Sequence, residues 1–252
     1  VTTPQAAAGG DGGYTGSVRV GGPAQTRDLG ALTVTKVAVG PMDNNAYLLR
    51  CSATGAQLLI DAANEADRLL ELIGDGGLDT VVTSHRHADH IQALARVVAV
   101  TGARTVAHPA DAPAIGVPTR RLVEDGDEIL VGRVPLRVIH LVGHTPGSVA
   151  LLYTGPPPAA AGGSAQSPGH SGRVTDLAGE AHPHLFTGDC LFPGGPGNTF
   201  GDPDAFTSLM DDLERKVFGP LPDGTWIYPG HGADTVLGAE RPHLREWRDR
   251  GW

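Results

Sequence analysis

The sequence predicts an α/β layered architecture. Short runs of β-type alternation fill the stretch from Leu32 to Ile60, and beyond them apolar residues at helical spacing alternate with further short strands. That order favours layers over an all-helical bundle or a pure β-sandwich. With 252 residues, 40% of them hydrophobic, the chain can bury a core without disulfide or metal staples.

The elements follow in order. Residues 1–28 are rich in Gly, Ala and Thr with little apolar periodicity, so they read as a flexible N-terminal arm, and 29–252 as one domain. Strands are expected at Leu32 to Val39, Ala46 to Leu49 and Gln57 to Ile60, separated by Gly-Pro and Asp-Asn-Asn turn chemistry. Ala66, Leu69, Leu70 and Ile73 share one face of a helix over Asn64 to Ile73, which Gly74 stops. Thr80 to Thr83 reads as a buried strand and Ile91 to Val100 as a helix ended by Gly102. Later strands are expected at Thr105 to Ala107, Glu128 to Val131, Leu136 to Ile139, Val149 to Tyr153, Leu185 to Thr187 and Trp226 to Tyr228. Helices are expected at Pro203 to Val217 and Ala239 to Trp247. Between two strands, the Pro- and Gly-rich stretch 155–182 reads as a flexible inserted surface loop.

Composition excludes several function classes. A net charge of -9 disfavours a nucleic-acid backbone as partner, because that binding rests on clustered Lys and Arg. Cys51 and Cys190, far apart and in no ligand spacing, make neither a disulfide scaffold nor a zinc finger. No apolar run reaches the ~18 residues of a membrane span, and the start at Val1 lacks a basic segment followed by an apolar one, so the expected location is cytoplasmic without a membrane partner. Oligomeric state leaves no mark in the sequence.

The chemistry concentrates in Ser84-His85-Arg86-His87-Ala88-Asp89-His90, directly after a buried strand and before a helix. Imidazole suits zinc, iron, nickel and copper, and a carboxylate adds hard-ligand character and neutralises charge. While the segment is extended His85 and His87 project alike, and the turn into the helix sends Asp89 and His90 elsewhere, which supplies two adjacent metals rather than one. A solvated loop has no need of three imidazoles and a carboxylate at a strand end. Isolated histidines such as His108, His140 and His243 are expected to be ordinary surface or core residues.

Three further strand ends each offer one ligand type beside glycine: His144 in Gly143-His144-Thr145-Pro146-Gly147, Asp189 after Gly188, and His231 in Pro229-Gly230-His231-Gly232. Glycine there permits close backbone approach to a crowded site. Singly, each reads as a turn glycine with a polar neighbour.

Together and in this order, with Leu58-Leu59-Ile60-Asp61 before them, the motifs resemble the metallo-β-lactamase superfamily from Leu32 to His231, and within it the glyoxalase II-like hydrolases. The resemblance implies an αββα sandwich of two facing mixed sheets with outer helices. It places His85, His87 and His144 on one metal, Asp89, His90 and His231 on the other, Asp189 between them, and Asp61 behind the histidine loop as an orienting residue. Two divalent ions, zinc foremost with iron or manganese as alternatives, would share a water acidified to hydroxide for attack on a thioester or ester. Asp89 would also orient that nucleophile. The family's glyoxalase II enzymes carry a basic helical extension that grips glutathione, whereas one helix is expected after His231, so the expected substrate is a small acyl thioester or ester. Asn198 and Phe200, in a glycine-rich stretch that departs from the family pattern, are candidate substrate contacts. A mononuclear non-haem iron persulfide dioxygenase, with iron on His85, His144 and Asp189, is the alternative, and a flavin-partnered redox or non-catalytic metal module a third.

Overall fold

The computed structural model describes residues 13–155 and 183–251. In the first sheet, β1 (Gln25–Asp28), β2 (Leu32–Val39), β3 (Asn44–Cys51), β4 (Gln57–Ile60), β5 (Thr80–Val82), β6 (Arg104–Ala107) and β7 (Arg121–Leu122) lie side by side in sequence order. Pairing is antiparallel from β1 to β4 and parallel from β4 to β7. Parallel neighbours need crossovers. Helices α1 (Ala66–Ile73) and α2 (Leu94–Thr101) provide two of them.

The second sheet starts with the meander β8 (Glu128–Val131), β9 (Val134–His140), β10 (Val149–Tyr153) and β11 (His184–Gly188). A small ribbon, β12 (Leu191–Phe192) with β13 (Gly195–Pro196), and helix α3 (Pro203–Asp212) precede β14 (Trp226–Pro229), which joins β11 in parallel, and β15 (Thr235–Val236) on the edge. The chain then turns through α4 (Leu237–Glu240) into α5 (Leu244–Arg250).

Period-two alternation sorts the side chains into layers. Inward residues Leu32, Val34, Tyr47, Leu49, Leu58 and Ile60 of the first sheet meet Leu136, Val138, Leu151, Phe186 and Tyr228 of the second. Val37, Val39, Leu48 and Val81 on the outer face of the first sheet pack on Leu69, Ile73, Leu94 and Val97 of α1 and α2. Ile139, Ala150, Leu185 and Ile227 pack likewise against Phe206, Leu209 and Met210 of α3 and Trp247 of α5. The layers are therefore helix, sheet, sheet, helix, the expected sandwich. Among the described residues, no helix is long and apolar enough to cross a membrane.

Three expectations need correction. The arm expected over 1–28 does not extend that far: Gln25–Asp28 pairs with β2, Thr26 Oγ1 meets Thr35 Oγ1 at 3.1 Å, and Arg27 stacks over Trp226 at 4.2 Å. This strand is polar because it is an edge, so no apolar alternation announces it. Helix α2 starts at Leu94 rather than Ile91, because the Gln92 and Ala93 amides donate to Ala63 and Ala62. The helix expected over Ala239 to Trp247 is split by a 3-10 turn at Arg241–His243, where Pro242 offers no amide proton. Residues 1–12 of the arm and almost all of the loop expected at 155–182 lie outside the described residues.

Candidate metal centre

The ligand-type residues converge from the strand ends of both sheets along one edge of the sandwich. His85, His87, Asp89 and His90 follow β5 of the first sheet. His144 lies between β9 and β10, Asp189 follows β11, and His231 follows β14, all in the second. Two backbone devices allow the approach. Gly188 takes a left-handed φ of 49°, and a Cβ there would press on Ser84 Oγ. At Gly230 a Cβ would collide with Asp189 Oδ1.

Donor atoms gather in two groups, His85 with His87 and His144, and Asp89 with His90 and His231, each group spanning no more than 4.8 Å. Asp189 touches both: its Oδ2 lies 3.7 Å from His144 Nε2 and 3.4 Å from His231 Nε2, and its Oδ1 3.3 Å from His90 Nε2. Asp61, His85 and His90 also converge, but the Asp61 oxygens are occupied. Oδ1 accepts the Ser84 amide at 2.7 Å, and Oδ2 accepts Ser84 Oγ at 2.7 Å and His90 Nδ1 at 2.9 Å. That trio is a support for the loop.

The Nδ1 protons of four of these imidazoles are all taken by neighbouring oxygens. His90 Nδ1 donates to Asp61, His231 Nδ1 to the Met42 carbonyl at 2.8 Å and His144 Nδ1 to the Asn198 carbonyl at 2.8 Å. Ser84 Oγ spends its proton on Asp61, so it accepts from His85 Nδ1 at 3.0 Å. A neutral imidazole, the form that binds a metal ion, carries one N–H, so in that form all four Nε2 atoms turn lone pairs inward. These face each other at 3.3 Å between His85 and His144 and at 3.2 Å between His90 and His231. Opposed lone pairs repel unless a proton or a metal ion joins them. Asp189 Oδ1, buried and without a hydrogen-bond donor, adds an open anionic position. The donor set of imidazoles and carboxylates fits borderline divalent metal ions.

Electrostatics separate the halves. Burial lowers the basicity of His85 and His144. Burial works the same way on His90, but the Asp61 carboxylate, with Asp189, outweighs it and raises that imidazole to about 10. His231 is raised too, burial being outweighed by Asp189. The half containing Asp89, His90 and His231 thus draws positive charge more strongly.

Residues 39–162 match the family model described as the metallo-beta-lactamase superfamily. The chain is 36% identical over 191 residues to a hydroxyacylglutathione hydrolase of Fuscovulum blasticum, an alignment covering 75% of this chain and 62% of that protein. It is also similar to a solved structure of TTHA1623 in a di-iron-bound form, at 30% identity and TM-score 0.59, over 82% of this chain and 96% of that one. The chain belongs to the metallo-β-lactamase superfamily. ETHE1 from Myxococcus xanthus shares the fold at TM-score 0.67 and 26% identity, over 86% of this chain and 84% of that one. The chain spans 62% and 60% of the length of two of the curated hydroxyacylglutathione hydrolases it matches.

Each sequence-derived candidate of this superfamily member has a definite place. His85, His87, Asp89, His90, His144, Asp189 and His231 lie in the two groups, with Asp61 behind them. Phe200 is 68% exposed, holds a left-handed φ of 58°, and sets its ring 5.5 Å from His87 and 5.9 Å from His144. Asn198 steadies that turn by accepting the Phe200 amide on Oδ1 at 2.7 Å. His108 and His140 lie outside both groups and stack on each other at 3.8 Å.

Sequence reading missed Asn44 and Asp111. Asn44 Nδ2 donates to Asp89 Oδ2 at 2.7 Å, fixing the outer carboxylate. Asp111, 1% exposed, accepts the Arg86 amide at 3.0 Å, Thr145 Oγ1 at 2.6 Å and the Gly147 amide at 2.9 Å. It locks the loop of His85 and His87 to the loop of His144. The only trace of Asn44 was an amide pair opening a strand, and Asp111 left none.

Proposed function

We propose that this protein is a dinuclear metal-dependent hydrolase that cleaves a small acyl thioester or ester. The observation that carries this reading is the pair of opposed Nε2 couples with Asp189 reaching both. His85, His87 and His144 would hold one ion, Asp89, His90 and His231 the other, and Asp189 both. Ions held there would supply Lewis acidity and lower the pKa of a shared water into the neutral range. Zinc suits the imidazole-rich donor set, and the di-iron form of TTHA1623 supports iron as an alternative.

The protein's own groups then divide the remaining work. Asp89 is partly exposed, and Asn44 fixes its Oδ2, so it is placed to accept a hydrogen bond from the attacking oxygen and aim it. Its carboxyl stays below the ordinary range: burial raises it, but the Asn44 hydrogen bond and the neighbouring imidazoles outweigh that. Phe200 and Asn198 would form the substrate wall beside His87 and His144. Similarity to hydroxyacylglutathione hydrolases supports thioester over amide cleavage.

The test is metal analysis of the purified protein followed by hydrolysis of a thioester and ester panel. About two ions per chain with thioester turnover is the expected result. One iron per chain, with oxygen uptake on a persulfide and no hydrolysis, would replace this reading with the dioxygenase one.

A further inference from the structure

β2 carries a lysine where alternation demands an apolar side chain. Leu32 and Val34 point into the intersheet core, and Lys36, two residues on, continues the same face with 0% exposure. Burying an ammonium is costly unless every proton is used. Here they are: Lys36 Nζ donates to the Gly16 carbonyl at 2.8 Å, the Gly232 carbonyl at 2.8 Å and Asp234 Oδ1 at 2.6 Å. Asp234, with its side chain 1% exposed, accepts Tyr14 Oη at 2.7 Å and Trp226 Nε1 at 2.8 Å on its other oxygen.

Two of the residues bound in this network, Gly232 and Asp234, follow His231 closely, and the neighbouring hairpin strand completes the grip. Asn45 Nδ2 donates to the Pro229 and Gly232 carbonyls at 2.9 Å each, the Asn45 amide to the Gly230 carbonyl at 2.7 Å, and Tyr47 Oη to the Pro229 carbonyl at 2.6 Å. The carbonyls of Pro229, Gly230 and Gly232, which bracket His231, are thereby all tied to donors on β2 and β3. These strands belong to the first sheet, whereas His231 extends from the second. We infer that Lys36, with Asn45 and Tyr47, is the positioning device of His231: a buried ammonium, neutralised by Asp234, that sets the distance between the two sheets at one metal position and leaves the other untouched. The loops that carry His85, His87 and His144 are braced by Asp111. This inference rests on the two-metal reading above.

The experiment titrates zinc into chelator-stripped full-length protein and resolves two binding steps by calorimetry. His231→Ala identifies which step belongs to its own position. Lys36→Met should weaken that same step about tenfold or more, the scale on which outer supports act on metal affinity, and leave the other step within about threefold. Tyr47→Phe, which removes one hydroxyl and buries no orphan charge, should weaken the same step by a smaller factor. Should Lys36→Met alone not fold, because Asp234 is then a buried unpaired charge, the double variant Lys36→Met/Asp234→Asn replaces it and Tyr47→Phe decides independently. Equal weakening of both steps would reduce the network to general core support and overturn the inference, as would two unshifted steps. A single step in the unaltered protein would overturn both this inference and the two-metal reading.

Discussion

Thr145 Oγ1 donates to Asp111 Oδ2 across 2.6 Å, and through that contact the two strand-end loops that carry His85, His87 and His144 become one rigid piece. Asp111 is buried and its two oxygens also accept the Arg86 and Gly147 amides, so its removal strands three donors at once. Asp111→Ala should lower stability by about 2–4 kcal/mol, read by urea denaturation, with hydrogen bonds to a charged group counting most. Asp111→Asn keeps one good acceptor and should cost less, while still reducing zinc affinity about tenfold in a competition assay against a colorimetric chelator. Unchanged affinity in both variants would show that the brace is irrelevant to the metal position.

His231→Ala and His85→Ala should part company in metal content. In a two-ion site the first variant keeps roughly one metal per chain and loses most hydrolytic turnover. If a single ion sits on His85, His144 and Asp189, the same variant keeps its full complement, whereas His85→Ala loses it. Inductively coupled plasma analysis of the purified variants separates the two cases.

Gly230→Ala should deplete the site of metal while the fold stays. A Cβ there would strike Asp189 Oδ1 and come within 2.9 Å of His90 Cε1. Asp189 would have to move away from the position where it reaches both groups. Circular dichroism should be unaltered and bound metal should fall by half or more; full metal content with intact turnover would contradict the placement of Asp189 as the shared ligand.

Acid should expose the contribution of Asp212. Its Oδ2 accepts the Val142 amide at 3.0 Å and its Oδ1 pairs with Arg215 at 2.7 Å and Lys216 at 3.2 Å. Burial raises this carboxyl, but the Val142 amide and the two cations outweigh it, so it lies below the ordinary 3.8 in the folded protein. A depressed folded value means the stabilisation is fully present above about 3.8, the unfolded value, and is lost as pH falls through the folded one. Asp212→Asn should therefore unfold more easily than the parent by about 1–2 kcal/mol at pH 6, with the gap closing as pH falls below the unfolded value of 3.8. A gap that persists undiminished in acid would contradict the assignment. Thermal melts of both proteins across that range supply the comparison.

The candidate metal ligands were legible because chemistry and chain order coincide at them. Four of them sit within six residues after a strand, and the others stand alone beside a glycine at strand ends. The two groups in space follow the ordering that the resemblance implied. What escaped reading has no local signature. Gln25–Asp28 is a polar edge strand whose reason for pairing lies on β2 and Trp226. Strands β7, β12, β13 and β15 are two residues each, too short for any period. Asp111 is one acid in an Ala- and Pro-rich turn, and only the loops that fold around it give it three donors. Lys36 stands as a charge at an inward position of β2, yet two of its three partners are 196 and 198 residues away.

Ligands drawn from both sheets have a mechanical meaning. His85, His87, Asp89 and His90 hang from the first sheet and His144, Asp189 and His231 from the second, so bound ions would rivet the two at one edge, where loops rather than strand ladders otherwise meet. Whatever binds the native form and not the unfolded chain raises stability by mass action. The protein's stability would then follow the local supply of metal, and a shortage would weaken the fold as well as its chemistry.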